Sequence, residues 1–160
     1  MSLRIRVSLA GQELLLMDGG KVRRQYPVST ALAGAGEANG SGCTPRGQHY
    51  IRACIGRDQP SGAVFIGRRP TGEIYTAELG EANPERDWIL SRILWLCGLE
   101  KGFNRSGQVD TQRRYIYIHG TPDTEPMGVP RSHGCIRMRN ADLIELFDQV
   151  QPGTPVLIEE

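Results

Sequence analysis

The start of the chain has the apolar–polar pattern of strands joined by a tight turn. Apolar residues at 3–9 alternate with arginine and serine, which is the period of a strand with one buried face. A second apolar run at 13–17 and a return strand at 22–28 flank a glycine pair after Asp18, which suits a tight turn. This part of the chain therefore predicts a β-hairpin beside a first strand.

The rest of the chain predicts a mainly β, β-rich α+β fold. The 20 glycines and 10 prolines indicate many turns, which favours short strands over a helical bundle. Residues 29–42 are small and poor in apolar bulk, so we expect a loop there. Short apolar segments bounded by turn residues predict strands at 48–55, 63–66, 114–119 and 156–158.

One long apolar segment predicts a helix. Residues 83–85, Asn-Pro-Glu, combine a capping residue, a proline at the first helical position and an acid in the first turn. The apolar residues that follow predict a helix at about 84–99, within a non-core helical insertion at about 83–113. On this helix, Trp88 and Trp95 would either pack on the sheet or line a substrate groove.

A shorter helix is expected near the end of the chain. Asn140 has the side chain of a helix-capping residue, and apolar residues recur at helical spacing after it. The sequence therefore predicts a C-terminal helix at about 141–150.

Length and charge restrict the class of protein. The 160 residues have the size of one domain, spanning 1–160. The formal net charge is +1 with both signs spread along the chain, so no basic patch indicates a nucleic-acid partner. No apolar run reaches the ~20 residues of a membrane span. We expect neither nucleic acid nor a membrane as a partner.

The N-terminus and the cysteines bear on the cellular compartment. Residues 1–7 alternate charged and apolar side chains, so no signal peptide is visible. The 4 cysteines are widely spaced without a CxxC motif, which fits reduced thiols. We expect a cytoplasmic protein, whereas a leader trimmed from the chain would imply the periplasm.

One cysteine lies in surroundings that suit nucleophilic catalysis. A free thiol has a pKa near ~8.5 and is mostly protonated at neutral pH, so Cys135 would need a base such as His119. The loop between them is rich in proline and glycine and can bring them together. Gly134 permits a sharp turn that directs backbone N–H groups at an oxyanion. If Ile116 and Ile118 face the core, His119 faces a groove on the opposite side of its strand.

The segments HG at 119–120 and SHGCIRM at 132–138 resemble the active-site signature of the L,D-transpeptidase (YkuD-type) catalytic domain. The resemblance covers about residues 3 to 158 and implies a YkuD-like β-sandwich or barrel. Further similar segments are YPVST at 26–30, TPRG at 44–47, NAD at 140–142 and GTPV at 153–156.

The resemblance also implies catalytic roles. Cys135 would be the nucleophile and His119 its base, with the backbone carbonyl of Gly120 orienting the imidazole. The oxyanion hole would be formed by the backbone amides of His133, Gly134 and Cys135. Neither a metal nor a cofactor is expected.

Four residues are candidates for substrate binding. The resemblance implies that Ser132 and His133 line the pocket. On chemical grounds we add Arg137 and Arg131, because a guanidinium binds a carboxylate through two parallel hydrogen bonds. The alternative role for Arg137 is structural, holding the loop after the cysteine.

The substrate implied by the resemblance is a peptidoglycan stem tetrapeptide, alone or in a muropeptide. The enzyme would cleave the L,D bond between diaminopimelate and D-alanine through a thioester on Cys135. Water would then complete an L,D-carboxypeptidase reaction of murein recycling, which the expected cytoplasmic location favours. An amine from a second stem would instead form a 3-3 cross-link, as a transpeptidase does.

Two other classes of function stay open. One is a non-catalytic module that binds peptidoglycan fragments on the same fold. The other is a zinc site. Its ligands would be His119, His133 and Cys135, joined by His49, Cys43 or Cys54.

Overall fold

The computed structural model describes residues 2–160 and places ten strands in one mixed β-sheet. This confirms the mainly β fold class. Two short helices, α1 (Ala77–Ala82) and α2 (Asn140–Phe147), and a 3₁₀ turn at Gly107–Val109 complete the regular structure. The strands are β1 Leu3–Ser8, β2 Glu13–Asp18, β3 Lys21–Pro27, β4 Gly47–Ile55, β5 Ala63–Ile66, β6 Arg69–Ile74, β7 Ile89–Gly98, β8 Tyr117–Thr121, β9 Ile136–Arg139 and β10 Pro155–Glu159.

The sheet curls into a half-barrel with the strand order β3-β2-β1-β10-β4-β7-β5-β6. Strand β8 pairs with β7, and β9 lies beyond β8. The β2–β3 hairpin predicted from the sequence is confirmed, with Gly19 and Gly20 at its turn. Strand β1 runs parallel to β10, with Ile5 opposite Val156. Strands from the two ends of this sequence therefore lie side by side within the sheet.

The helix predicted at about 84–99 is wrong, because Ile89–Gly98 forms strand β7. Strand β7 pairs with β4 and β5 along one edge and with β8 along the other. Its side chains are buried on both faces. Such a strand is apolar without alternation, and periodicity cannot distinguish it from a buried helix. The non-core helical insertion predicted at about 83–113 is wrong for the same reason.

Two local features explain the error. Ser91 and Arg92, two polar residues within this apolar segment, lie where the β7–β8 register shifts. Ser91 has a φ of 73°, as expected where a strand bulges. Asn83, which suggested a helix start, instead ends α1, since its N–H donates to Gly80 O and its side chain to Leu79 O.

The main core lies between the curled sheet and α2. The C-terminal helix is confirmed, although it is shorter than predicted, and it buries Leu143, Leu146 and Phe147 against β7, β8 and β9. Asn140 is not its cap, because Arg139 occupies that position and makes no side-chain capping bond. No helix within residues 2–160 is long and apolar enough to cross a membrane.

Strand β8 and the segment leading into it present different side chains to two sides of the sheet. Ile116 and Ile118 are buried in the main core, as predicted. Tyr117 belongs to a smaller cluster with Phe65 and Ile93, against which Cys135 packs. His119 shares the side of Tyr117 because side chains alternate along a strand. The candidate site therefore lies on the side of the sheet away from α2.

Candidate active site

Two parallel strands bring the catalytic candidates together. Strand β8 carries His119, and Cys135 directly precedes β9. The register places Ile118 opposite Ile136 and His119 opposite Arg137. His119 and Cys135 consequently line the same cavity of about 560 Å³.

The imidazole of His119 is buried and held in one orientation. Its Nδ1 lies 2.6 Å from the carbonyl oxygen of Gly120, so Nδ1 carries the proton and Nε2 is left as an acceptor. Burial lowers the pKa of His119, because desolvation disfavours the imidazolium. At neutral pH the residue is therefore a neutral imidazole that can accept a proton at Nε2.

Position 120 also requires a glycine, because there is no room for a side chain. A Cβ there would overlap the side-chain oxygen of Asn140 and lie 2.5 Å from the backbone oxygen of Leu90. The Asn140 amide accepts a hydrogen bond from Ser91 Oγ (2.6 Å) and donates one to Thr121 O (3.0 Å). Asn140 thus connects the bulge of β7, the end of β8 and the start of α2 directly behind the histidine.

The thiol of Cys135 is half-buried and contacts two backbone groups. Its Sγ accepts a hydrogen bond from Tyr117 N–H (3.3 Å) and donates one to Tyr115 O (3.4 Å). Burial raises the pKa of the thiol to about 12, which outweighs the opposing effects of the Tyr117 N–H and the guanidiniums of Arg137 and Arg114.

No hydrogen bond joins Cys135 Sγ to His119 in the part of the chain that the structure describes. General-base catalysis by His119 would therefore require the thiol and Nε2 to approach each other. Catalytic hydrogen bonds often tighten only when substrate is bound. The arrangement suits general-base catalysis from a neutral thiol and a neutral imidazole.

The loop before the cysteine is held from inside by Ser132. Its buried hydroxyl donates to Cys135 O (2.6 Å) and accepts from Gly134 N–H (3.2 Å). Ser132 lines the cavity, but its hydroxyl is engaged within the loop. The Gly134 amide, predicted for the oxyanion hole, is occupied by this bond. The same role for the amides of His133 and Cys135 stays a prediction.

The TPRG segment supports this loop from behind. Thr44 Oγ1 donates to Gly134 O (2.9 Å) and accepts from Ala31 N–H (3.0 Å). Gly134 has a φ of 129°, which favours glycine, and a Cβ there would lie 3.2 Å from Cys43 O. Thr44 therefore fixes the turn that presents the cysteine, a role that the sequence did not suggest.

The three exposed or charged binding candidates differ in position. His133 is exposed and lines the cavity. Arg137 also lines it, is only 11% exposed at its side chain, and forms an ion pair with Asp87 (3.3 Å), while its buried Nε lacks a partner. Arg131 is exposed and does not line the cavity. Of the two predicted arginines, the structure brings only Arg137 to the site.

Three further charged residues of the cavity were not predicted from the sequence. Arg114 donates to Cys43 O (2.6 Å), and burial lowers the pKa of its guanidinium. Arg68 and Asp87 come from the turn between β5 and β6 and from the segment before β7. Only the pairing of distant strands brings these two residues to Cys135, so no local pattern could have revealed them.

The alternative zinc site finds no support in the geometry. No group of three or more histidine, cysteine or acidic side chains within residues 2–160 is placed to hold a metal ion. His49 is buried between Gly47 O and Thr111 Oγ1, each 3.0 Å from a ring nitrogen, and burial lowers its pKa to about 4. All 4 cysteines are free thiols.

Comparison with known proteins extends the resemblance over the whole chain. The sequence model of the YkuD L,D-transpeptidase catalytic domain matches residues 2–158. Putative L,D-transpeptidase YqjB of Bacillus subtilis is 42% identical over 59 residues, covering 37% of this chain and 32% of that protein. Putative L,D-transpeptidase YkuD of Bacillus licheniformis is 26% identical over 155 residues, covering 97% of this chain and 64% of that protein.

A solved structure shares the fold. L,D-transpeptidase 3 from Mycobacterium tuberculosis, in complex with a faropenem-derived adduct, superposes with a TM-score of 0.59 at 15% identity. The match covers 99% of this chain and 60% of that chain, so this sequence spans less than two thirds of each of these three proteins. On the match to its family model, the chain belongs to the YkuD family of L,D-transpeptidase catalytic domains.

Proposed function

We propose that this domain is a cysteine acyltransferase acting on peptidoglycan stem peptides. It would cleave the bond between an L centre and a D centre, such as that between diaminopimelate and the terminal D-alanine of a tetrapeptide. The observation that carries the proposal is that Cys135 shares one cavity with a neutral His119 whose Nε2 is left as an acceptor. Membership of the family supports the same chemistry.

The geometry suggests how the residues act in turn. His119 Nε2 takes the thiol proton of Cys135 while Sγ attacks the carbonyl carbon of the L residue. The tetrahedral intermediate then collapses, and the imidazolium gives its proton to the departing amine of D-alanine. The Gly120 carbonyl stabilises the imidazolium by accepting from Nδ1. A thioester on Cys135 is left.

The acceptor that we propose for this thioester is water, which would make the enzyme an L,D-carboxypeptidase. The half-buried Cys135 lies at the wall of a solvent-connected cavity, so water reaches it without a binding site of its own. The alternative acceptor is an amine from a second stem. A neighbouring cavity of about 210 Å³ could receive it, because Glu85 and Glu125 there would attract a cationic amine, although Arg86 and Arg137 also line this cavity.

The test is a product analysis by mass spectrometry. The protein is incubated with a diaminopimelate-containing tetrapeptide and with its muropeptide, each with and without an amine-bearing acceptor stem. We expect release of D-alanine to leave a tripeptide, irrespective of the acceptor, and its complete loss in Cys135→Ala. Cys54→Ala, which changes a half-buried thiol outside the cavity, is the matched control and should keep full activity.

Other outcomes would assign other functions. A cross-linked product would identify a transpeptidase. Formation of a covalent faropenem adduct, followed by mass spectrometry of the intact protein, is the second readout. The Mycobacterium tuberculosis L,D-transpeptidase 3 was solved with a faropenem-derived adduct. Tetrapeptide binding without turnover and without a faropenem adduct would identify a non-catalytic module.

A further inference from the structure

Three arginines line the catalytic cavity, and two of them are already engaged. Arg137 forms its ion pair with Asp87. Arg114 donates to backbone oxygens of Gly36, Glu37 and Cys43. Arg68 differs, because none of its interactions within residues 2–160 is with a carboxylate or a carbonyl. Of the three, Arg68 is therefore the guanidinium that has neither an ion pair nor a carbonyl acceptor within the described residues.

Arg68 is placed in the cavity by a tight turn. Gly67 and Arg68 alone join strand β5 to β6, with φ values of 56° and 64°. Two consecutive positive φ angles are typical of a type I′ hairpin turn. A positive φ is uncommon for a residue with a long side chain, so the turn is not explained by local preference.

The guanidinium of Arg68 contacts two aromatic rings and one tyrosine hydroxyl. Its central carbon lies 4.7 Å from the ring centre of Trp95 and 4.9 Å from that of Tyr115. Nη1 donates to the hydroxyl of Tyr117 at 2.9 Å. Within residues 2–160, these contacts restrain the cation and leave its Nε and Nη2 without a hydrogen-bond partner. A carboxylate binds a guanidinium in the plane of the cation, through two parallel hydrogen bonds along one edge.

We infer that Arg68 is a specificity-determining residue that binds a carboxylate of the stem peptide. The inference rests on the proposed function of the site. It separates the roles of two arginines. Arg137, neutralised by Asp87 and with an unpaired Nε, suits an uncharged peptide carbonyl, whereas Arg68 suits an anion. The stem offers carboxylates on the terminal D-alanine, on the second centre of diaminopimelate and on D-glutamate.

The test compares Arg68→Gln with the unchanged protein on the tetrapeptide and on three analogues, each with one carboxylate replaced by a carboxamide. We expect kcat/KM for the tetrapeptide to fall about 10- to 100-fold, the loss of a charged hydrogen-bonded pair. On the analogue that lacks the recognised carboxylate, the substitution should have no further effect. Arg68→Lys keeps the positive charge but cannot form two parallel hydrogen bonds, so its kcat/KM should lie between those of the unchanged protein and Arg68→Gln.

Arg69→Gln is the matched control, since Arg69 is the exposed next residue of the same hairpin. It should leave kcat/KM unchanged. Alkylation of Cys135 by iodoacetamide, a neutral reagent, should proceed equally in all variants and so show an intact nucleophile. An unchanged kcat/KM in Arg68→Gln, or an equal loss on all analogues, would overturn the inference.

Binding separates this inference from the proposed reaction. Tetrapeptide affinity is measured by calorimetry in Cys135→Ala and in the same variant with Arg68→Gln. We expect weaker binding in the double variant by the same factor, even if the protein proves to have no turnover. Equal affinities would refute the role of Arg68 and leave the reaction itself untouched.

Discussion

At the scale of single residues, burial shifts the pKa values of the two catalytic candidates in opposite directions. The pKa of His119 is lowered, and that of Cys135 is raised to about 12. General-base attack requires a neutral imidazole and a protonated thiol. The base is therefore lost when pH falls through the pKa of His119, whereas ionisation of the thiol at high pH leaves a nucleophilic thiolate.

The pH profile of kcat/KM for D-alanine release should show this, because it reports the ionisations of the free enzyme. We expect an acid limb with its midpoint below the ordinary histidine value of about 6.5 and no alkaline limb up to about pH 10. A bell with an alkaline limb near neutral pH would contradict it, since that shape requires a reactive thiolate–imidazolium pair. Thermal unfolding at each pH is the control for lost structure.

Residue identities at the site were largely predictable, but their roles were less so. Cys135 and His119 lie in contiguous motifs, so the chemistry of the sequence indicated them before any fold was known. Ser132 and the choice between Arg131 and Arg137 were not predictable in this way. A hydroxyl that bonds its own loop and one that faces substrate look the same in sequence. Two nearby arginines differ only in where the backbone directs them.

At the scale of elements, strand β7 could not be predicted from its own apolar–polar pattern. Strands β1 and β2 were predictable because one face of each is buried more deeply than the other. Strand β7 is buried on both faces, so its apolar residues do not alternate with polar ones. Asn83, which precedes it, has the side chain of a helix-capping residue but ends α1. The distinction between strand and helix there depends on partners β4, β5 and β8, which lie elsewhere in the sequence.

Substitution of Gly98, the last residue of β7, tests this assignment. A Cβ on Gly98 would overlap the backbone and side-chain oxygens of Asn104. We expect Gly98→Ala to lower the free energy of unfolding by about 2–3 kcal/mol. In a helix the same change would raise it by up to ~1 kcal/mol, because alanine is the better helix former. Urea unfolding measures the difference, and Gly20→Ala, with open space at its Cβ, is the control.

At the scale of the whole molecule, β10 joins the two parts of the sheet. It pairs with β1 on one side and with β4 on the other. Ile158 is 1% exposed and part of the main core, whereas Leu157 is half-buried. Although β10 carries no site residue, it supports the strands on which the site is built.

We expect Ile158→Ala to lower the free energy of unfolding by about 2–4 kcal/mol. Leu157→Ala should cost less than half of this, because less of its side chain is buried. Urea unfolding followed by circular dichroism and by tryptophan fluorescence should give coincident transitions, since one sheet carries both the core and the site. A fluorescence transition at lower urea would show that the site unfolds separately.

The parallel pairing of β1 with β10 also affects when the sheet can form during synthesis. Strand β1 leaves the ribosome well before β10, because every other strand of the sheet lies between these two partners in the sequence. Until then, β1 and β4 each keep an open edge with unpaired backbone groups, the kind of edge that recruits foreign strands. Such distant pairings fold slowly. We therefore expect the insertion of β10 between β1 and β4 to be a slow step of folding, before which these two edges can associate with other chains.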